Sequence, residues 1–340
     1  MNVSGWVRVV IVGLSVWLVS AGCKKDESSS TGGGTSTATT GGTPRRIVIG
    51  MVAKSQSNDV FVAAHKGADD AARILGPQYG VEVEINWQTP DSEDAQQQAQ
   101  AIEQLSRGGA QGITVSCSDA NTVTPAIDGA VGRGVAVMCF DSDAPNSKRF
   151  AFFGTDDVDC GKAVMDELAR VMNKKGYIDA LAGNQAAPNL QKRVDGAREA
   201  LKQYPDIHLI DVVHHEETKE KAAEAVNQAQ STTTPHIDGW AMIGGWPLFT
   251  QNALKWDPGS VKVVAVDALP AELSYLEDGH VQALYMQHCY DWGYKSVQML
   301  LDKIVKNQDP PQVRNIDKLE RITKDDVARV RDDWHKWLGK

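Results

Sequence analysis

The chain has 340 residues, of which 42% are hydrophobic and 23% charged, with a formal net charge of -9. That length and balance suit two domains with cores of their own. The acidity, with no cluster of Lys and Arg, excludes an ordinary nucleic-acid binder. The five cysteines, Cys23, Cys117, Cys139, Cys160 and Cys289, form no CxxC pair and stand at no zinc-like spacing from histidine, so no metal site is expected.

At the N-terminus Arg8 precedes an apolar run from Val9 to Val19, followed by Ser20-Ala21-Gly22-Cys23. One positive charge, a short apolar core and small residues at the cut are the layout of a secretory signal over residues 1–22. The run is shorter than the roughly 20 apolar residues that a membrane-spanning helix needs. The small pair before Cys23 resembles the lipobox of bacterial lipoproteins, which implies a diacylglyceryl group on the Cys23 thiol. Ser20 departs from the Leu preferred three residues before the cysteine. Residues 24–43 read KKDESSSTGGGTSTATTGGT, a composition that cannot build a core. Residues 23–45 are therefore expected to be an anchored cysteine and its flexible tether, with a reach on the order of 25 Å.

From Arg46 onward strands and helices alternate. Ile47 to Ala53 reads as a buried parallel strand and Asp59 to Leu75 as an amphipathic helix. Strand Val81 to Trp87, helix Ser92 to Arg107, strand Gly112 to Ser116, helix Thr122 to Gly132 and strand Val135 to Phe140 continue the series. A second series runs through helix Cys160 to Asn173, strand Tyr177 to Ala182, helix Asn189 to Tyr204 and strand His208 to Val213. It goes on through helix Lys219 to Thr232, strand Gly239 to Ile243, helix Pro247 to Lys255 and strand Val261 to Asp267. Repeated βαβ steps predict two doubly wound parallel sheets with right-handed crossovers. Strand-like chain between them, Arg149 to Thr155, predicts a hinge. An amphipathic helix from Asp325 to Leu338, carrying Trp334 and Trp337, is expected to pack back on a lobe. Cys117, Cys139 and Cys160 read as small core residues, with a disulfide among them left open.

Open parallel sheets take ligands beyond the C-terminal ends of their strands, and polar residues collect there in both series. They are Lys54 to Asn58, Ser116 to Asp119, Asp141 to Asp143, Asn184 and Gln185, Gly245 and Trp246, and Asp267. Asp59, Ser118 and Asp157 are expected to be helix caps, and His214-His215 a solvated edge. No nucleotide-binding glycine signature, GxSxG or HExxH occurs, so no cofactor is expected.

Ile47 to about Lys306 resembles the periplasmic sugar-binding proteins of the ribose/galactose type, class I of the binding-protein superfamily. The segments that carry the resemblance are GMVAKSQSNDVFVAAHKG from Gly50, DSDAPNSKRFAFFGTDD from Asp141, Asn189 to Gly196, and Val263 to Asp267 followed by Gln287. It implies a first lobe of 46–152 with about 288–312, and a second of 153–287 with about 313–340, joined by a multi-strand hinge. It implies an amide at Asn58, stacking aromatics at Phe61 and Trp246, carboxylates at Asp141 and Asp267, donors at Asn189 and Arg193, and a crossover amide at Gln287. Carboxylates accept from adjacent sugar hydroxyls while Arg and Asn donate back, and aromatic rings cover the C–H face. Where ribose-type proteins carry Arg after the first carboxylate this chain has Ser142, and where they carry Asn-Asp it has Gly245-Trp246. Those departures favour a larger ring, such as glucose, xylose or an inositol, over ribose.

The resemblance implies a monomeric, non-enzymatic substrate-binding lipoprotein of an ABC-type sugar importer. Its partners are a small sugar and a membrane permease, not nucleic acid, and its only membrane contact is the lipid anchor, in the periplasm or outer envelope. The alternative is an extracytoplasmic sensor that presents a sugar or signal molecule to a membrane receptor. A repressor with the same lobes would need a helix-turn-helix where the signal and tether stand.

Overall fold

The computed structural model describes residues 44–338; the expected signal, Cys23 and most of the tether lie outside them. The first sheet gathers β1 (Arg45–Val52), β2 (Val81–Trp87), β3 (Gly112–Val115), β4 (Ala136–Phe140) and β5 (Ala151–Thr155), with α1 (Asp59–Gln78), α2 (Ala95–Arg107) and α3 (Ala120–Gly132) between strands. The second gathers β6 (Gly176–Leu181), β7 (Ile207–Val213), β8 (Gly239–Met242), β9 (Lys262–Val266) and β10 (Ala283–Met286). Its helices are α4 (Asp157–Val171), α5 (Pro188–Leu201), α6 (Lys219–Thr232) and α7 (Leu273–Asp278). The chain returns through α8 (Cys289–Lys306) to β11 (Arg314–Asp317), then β12 (Glu320–Ile322) and α9 (Val327–Leu338).

The strand orders are β11-β5-β4-β3-β1-β2 and β12-β10-β9-β8-β6-β7. All pairs are parallel except β10 with β12. The central parallel strands are apolar on both faces, as burial beneath two helix layers requires; Ile47, Ile49 and Met51 of β1 and Val263, Val264 and Ala265 of β9 are fully buried. In each sheet the winding reverses once, between β1 and β3 and between β6 and β8. Such reversals open the crevice in which doubly wound sheets hold ligands.

The sheets extend past the expected lobe limits of 152 and 312. β5 to Thr155 and β11 to Asp317 both pair in the first sheet, so the chain crosses between sheets after Thr155, after Met286 and after Asp317. The end of the chain does not belong to the second lobe alone. α9 touches both α1 and α7, Trp334 donates its indole N–H to Ala268 O (2.7 Å), and Trp337 stacks on Tyr290 of α8 with centroids 5.8 Å apart.

Other expectations are corrected locally. The helix expected over Pro247 to Lys255 is a single 3-10 turn, Trp246–Phe249: burying Trp246, Leu248 and Phe249 fixes it, and Asn252 then turns the chain with φ 58°. The caps fall one residue away from those expected, at Asn58, Asp119 and Asp156, each accepting a backbone N–H of the first turn. Each expected cap was adjacent to a second residue able to cap, and the backbone register decided between them. The four cysteines among the described residues are free and buried.

Candidate functional site

Each lobe presses two helices together through glycines. A Cβ on Gly67 would stand 2.0 Å from Tyr290 O, and one on Gly293 1.8 Å from Ala64 O, so α1 and α8 touch backbone to backbone. α4 and α5 repeat the arrangement, with Gly161 against Arg193 O and Gly196 against Val158 O, at 1.9 and 2.0 Å from an added Cβ. The second crossing brings Asp157, at the start of α4, against Arg193 on α5.

All eight residues singled out in the sequence line one cavity between the lobes: Asn58, Phe61, Asp141, Asn189, Arg193, Trp246, Asp267 and Gln287. From the first lobe, Asp141 follows β4 and accepts from Ser116 Oγ (2.6 Å). From the second, Asn189 at the start of α5 donates to Asp141 Oδ1 across the cleft (3.2 Å). One turn further, Arg193 is held on three sides: Nε to Asp157 (3.0 Å), Nη1 to Ile243 O (3.1 Å) and Nη2 to Gln287 Oε1 (2.7 Å). Gln287 passes the chain of bonds on, donating to Asp267 Oδ1 (2.8 Å) and accepting from Thr155 Oγ1 (3.1 Å). Thr155 and Gln287 stand at two of the three crossings, so the polar network of the cavity is tied to the hinge.

The aromatic walls are Phe61, Trp246 and Trp292. Phe61 meets Phe140 edge-on and tilts against Trp292, with both centroid distances 6.3 Å. Asn58 lines the cavity and also caps α1, its side chain accepting from Val60 N (3.2 Å).

Both strand-end carboxylates carry left-handed backbone, with φ 53° at Asp141 and 79° at Asp267. Asp adopts this region more readily than most residues, yet two such residues at matched strand ends mark a site whose backbone is bent to aim side chains.

Four neighbours were not recognised in the sequence as parts of the site. Asp157, expected as a cap, is instead the buried partner of Arg193. Burial, partly offset by that guanidinium, pushes its pKa up to about 6. Lys54 stood in the strand-end set without a role. Its side chain, 3% exposed, donates to Asn189 Oδ1 (3.2 Å) and lies 3.5 Å from Glu217. Burial works against the Lys54 ammonium, but the carboxylates of Glu217, Glu93 and Asp141 outweigh it and raise its pKa. Burial pushes Glu217 up to about 7 against the pull of Lys54. Nothing in the sequence distinguishes Glu217 from the solvated charges beside it, because only the fold turns it inward. Trp292 lies on α8, away from the strand ends to which the sequence points.

Arg193 carries the opposite sign: burial disfavours its charge, and the surrounding acids overcome this and raise its pKa. Asp267 is raised by burial, an effect that Arg193 and the Gln287 bond oppose. The space left among these side chains is about 20 Å³, room for roughly one water.

Further out the cleft widens to a cavity of about 480 Å³ that shares Glu217 with the inner one. His214 and His215, expected at a solvated edge, line it. His215 is half-buried, with its ring edge-on to Trp246 at 4.9 Å, and burial lowers its pKa. Among the described residues no group of three or more His, Cys, Asp and Glu is placed to hold a metal ion, and no helix is long and apolar enough to cross a membrane.

A family model described as a periplasmic binding protein domain matches residues 49–308. The D-ribose/D-allose-binding protein of Pseudomonas aeruginosa is 22% identical over 279 residues, covering 79% of this chain and 85% of its own. The xylitol-binding protein of Mycolicibacterium smegmatis is 26% identical over 254 residues, covering 72% and 70%. An ABC transporter solute-binding protein of Burkholderia graminis, solved in complex with D-arabinose, superposes with a TM-score of 0.74 at 26% identity, covering 84% of this chain and 97% of its own.

Proposed function

The chain belongs to the periplasmic binding protein family, as a sugar-binding protein of the ribose type, and on that premise we propose that it is the solute-binding lipoprotein of an ABC-type sugar importer. It takes a monosaccharide into the cavity between the lobes, closes by hinge bending and presents the closed form to a membrane permease. Cys23 carries the lipid anchor.

The observation that carries the reading is the convergence of Asp141, Asn189, Arg193, Asp267 and Gln287 with Phe61, Trp246 and Trp292 on one buried cavity. Two carboxylates accept from ring hydroxyls, the guanidinium and amides donate to ring oxygens, and indole and phenyl faces cover C–H groups. Nothing in the set serves as a nucleophile with a base to activate it. The relatives are named as binding proteins for ribose or allose, xylitol and arabinose, which supports a five- or six-carbon polyhydroxylated ligand. Ser142 and Trp246 favour glucose, xylose or an inositol among them.

Thermal-shift measurements against pentoses, hexoses, xylitol and inositols test this. A ligand at about 100 times its Kd adds about 2.7 kcal/mol of stability, so at least one sugar is expected to raise the Tm by several degrees. No shift from any member of the panel would overturn the proposal.

A further inference from the structure

The cleft does not end at the ring cavity. It continues away from the three crossings, between the loops after β1 and β2 on one side and those after β6 and β7 on the other. The outer cavity of about 480 Å³ falls within the roughly 300–1,000 Å³ of ordinary small-ligand pockets. Glu217 belongs to both spaces, and His215 of the outer one packs edge-on against Trp246 of the inner one, so the aromatic wall runs from one into the other. Across its width Asn184 donates to Glu93 Oε1 (3.1 Å), which puts donors and acceptors of both lobes within reach of a single occupant.

Beside the imidazoles of His214 and His215, the lining is hydroxyl, amide and carboxylate: Ser57, Ser92 and Glu93 from the first lobe, Asn184, Gln185 and Glu217 from the second. Such a surface is rich in acceptors and suits a ligand rich in O–H donors. Glu93 and Glu216 disfavour a phosphate or carboxylate beside them. A group of this size and polarity, joined to a ring in the inner cavity, is a second neutral sugar unit.

We propose that the outer cavity is a second sugar subsite, and that the preferred ligand is a neutral disaccharide or glycoside whose second unit lies against Ser57, Ser92, Asn184 and Gln185. This rests on the sugar-binding reading above and extends it from one ring to two.

The test is calorimetric titration of the mature protein and of a Ser92→Trp variant with xylobiose, cellobiose, maltose, lactose and melibiose, and with their component monosaccharides. Ser92 is exposed and does not line the inner cavity, so the indole fills the outer space and leaves the ring site intact. The expected result is that a disaccharide binds about tenfold or more tightly than either of its components. Ser92→Trp removes that advantage while monosaccharide affinity stays within about twofold. Monosaccharides that bind as tightly as every disaccharide, with Ser92→Trp silent toward both, overturn the second subsite and leave the one-ring function standing. Absence of binding by sugars of either size overturns the one-ring reading, and this inference with it.

Discussion

Asp141 and Asp267 occupy left-handed backbone at strand ends facing the same cavity. Asn is nearly isosteric with Asp and accepts the same backbone region, so Asp267→Asn keeps the fold and the Gln287 bond but loses the ionised acceptor. Affinity for the sugar should fall about tenfold or more while the Tm holds; isothermal titration beside a melting curve reads both. Arg193 differs. Its Asp157 partner is buried with it, and removing one member of a buried pair costs about 3–5 kcal/mol. Arg193→Ala is therefore expected to lower the Tm sharply as well as abolish binding.

Glu217 gives a pH signature. Its folded-state pKa is raised by burial to about 7, from 4.5, so the folded chain holds a proton that the unfolded chain releases. The associated stability is fully present below about pH 4.5 and is lost as pH rises through about 7. The Tm of the wild type relative to Glu217→Gln should fall between pH 5 and pH 8, and parallel curves would exclude the shift. The residues facing the cavity were legible in sequence where they follow a strand or recur at helical spacing, as Asp141, Asp267, Asn189 and Arg193 do. Lys54, Glu217 and Asp157 were not, because their roles arise from partners 163, 163 and 36 positions away along the chain.

At the scale of elements, α4 and α5 hold Arg193 in place by touching through Gly161 and Gly196. Gly161→Ala drives a methyl group into Arg193 O, and overpacking of this kind costs about 1–3 kcal/mol. The expected outcome is a lower Tm together with weaker sugar binding, since α5 must move and it carries both Asn189 and Arg193. Affinity unchanged by the variant would show that the crossing does not position them. The alternation of strands and helices was legible because parallel strands covered on both faces read as unbroken apolar runs. The short elements were not: α7, β10 and β12 have 6, 4 and 3 residues, too few for a period to show, and β12 owes its place to pairing with β10.

The hinge has an ionisable fastening of its own. His288, beside the second crossing, lies 2.7 Å from Asp317 at the third. The hydrogen bond to Asp317, with the charges of Asp291 and Glu320, outweighs burial and raises its pKa. Its contribution is fully present below about pH 6.5 and is lost as pH rises through the higher folded value. His288→Gln should thus destabilise the protein more at pH 5.5 than at pH 8.5 in melting experiments; an equal loss at both would remove the charged pair from the account.

In the whole molecule, three crossings join two sheets whose C-terminal rims face one cavity. The polar network runs from Asp157 through Arg193, Gln287 and Asp267 to the hinge strands, and Asn189 reaches Asp141 on the other lobe. Under the proposed function, ligand and hinge would act on the same side chains, and capture would be coupled to closure. Small-angle scattering should show a smaller radius of gyration with saturating sugar than without. For the full chain, acylation at Cys23 predicts that Cys23→Ser moves the protein from the membrane to the soluble fraction.

The most direct test of the central claim is calorimetric titration of wild type and Asp267→Asn with the sugar that most raises the Tm. The account predicts saturable one-to-one binding by the wild type and a loss of about tenfold or more in the variant, with its melting temperature preserved. Equal affinity in the two proteins, or no binding by the wild type, would contradict it.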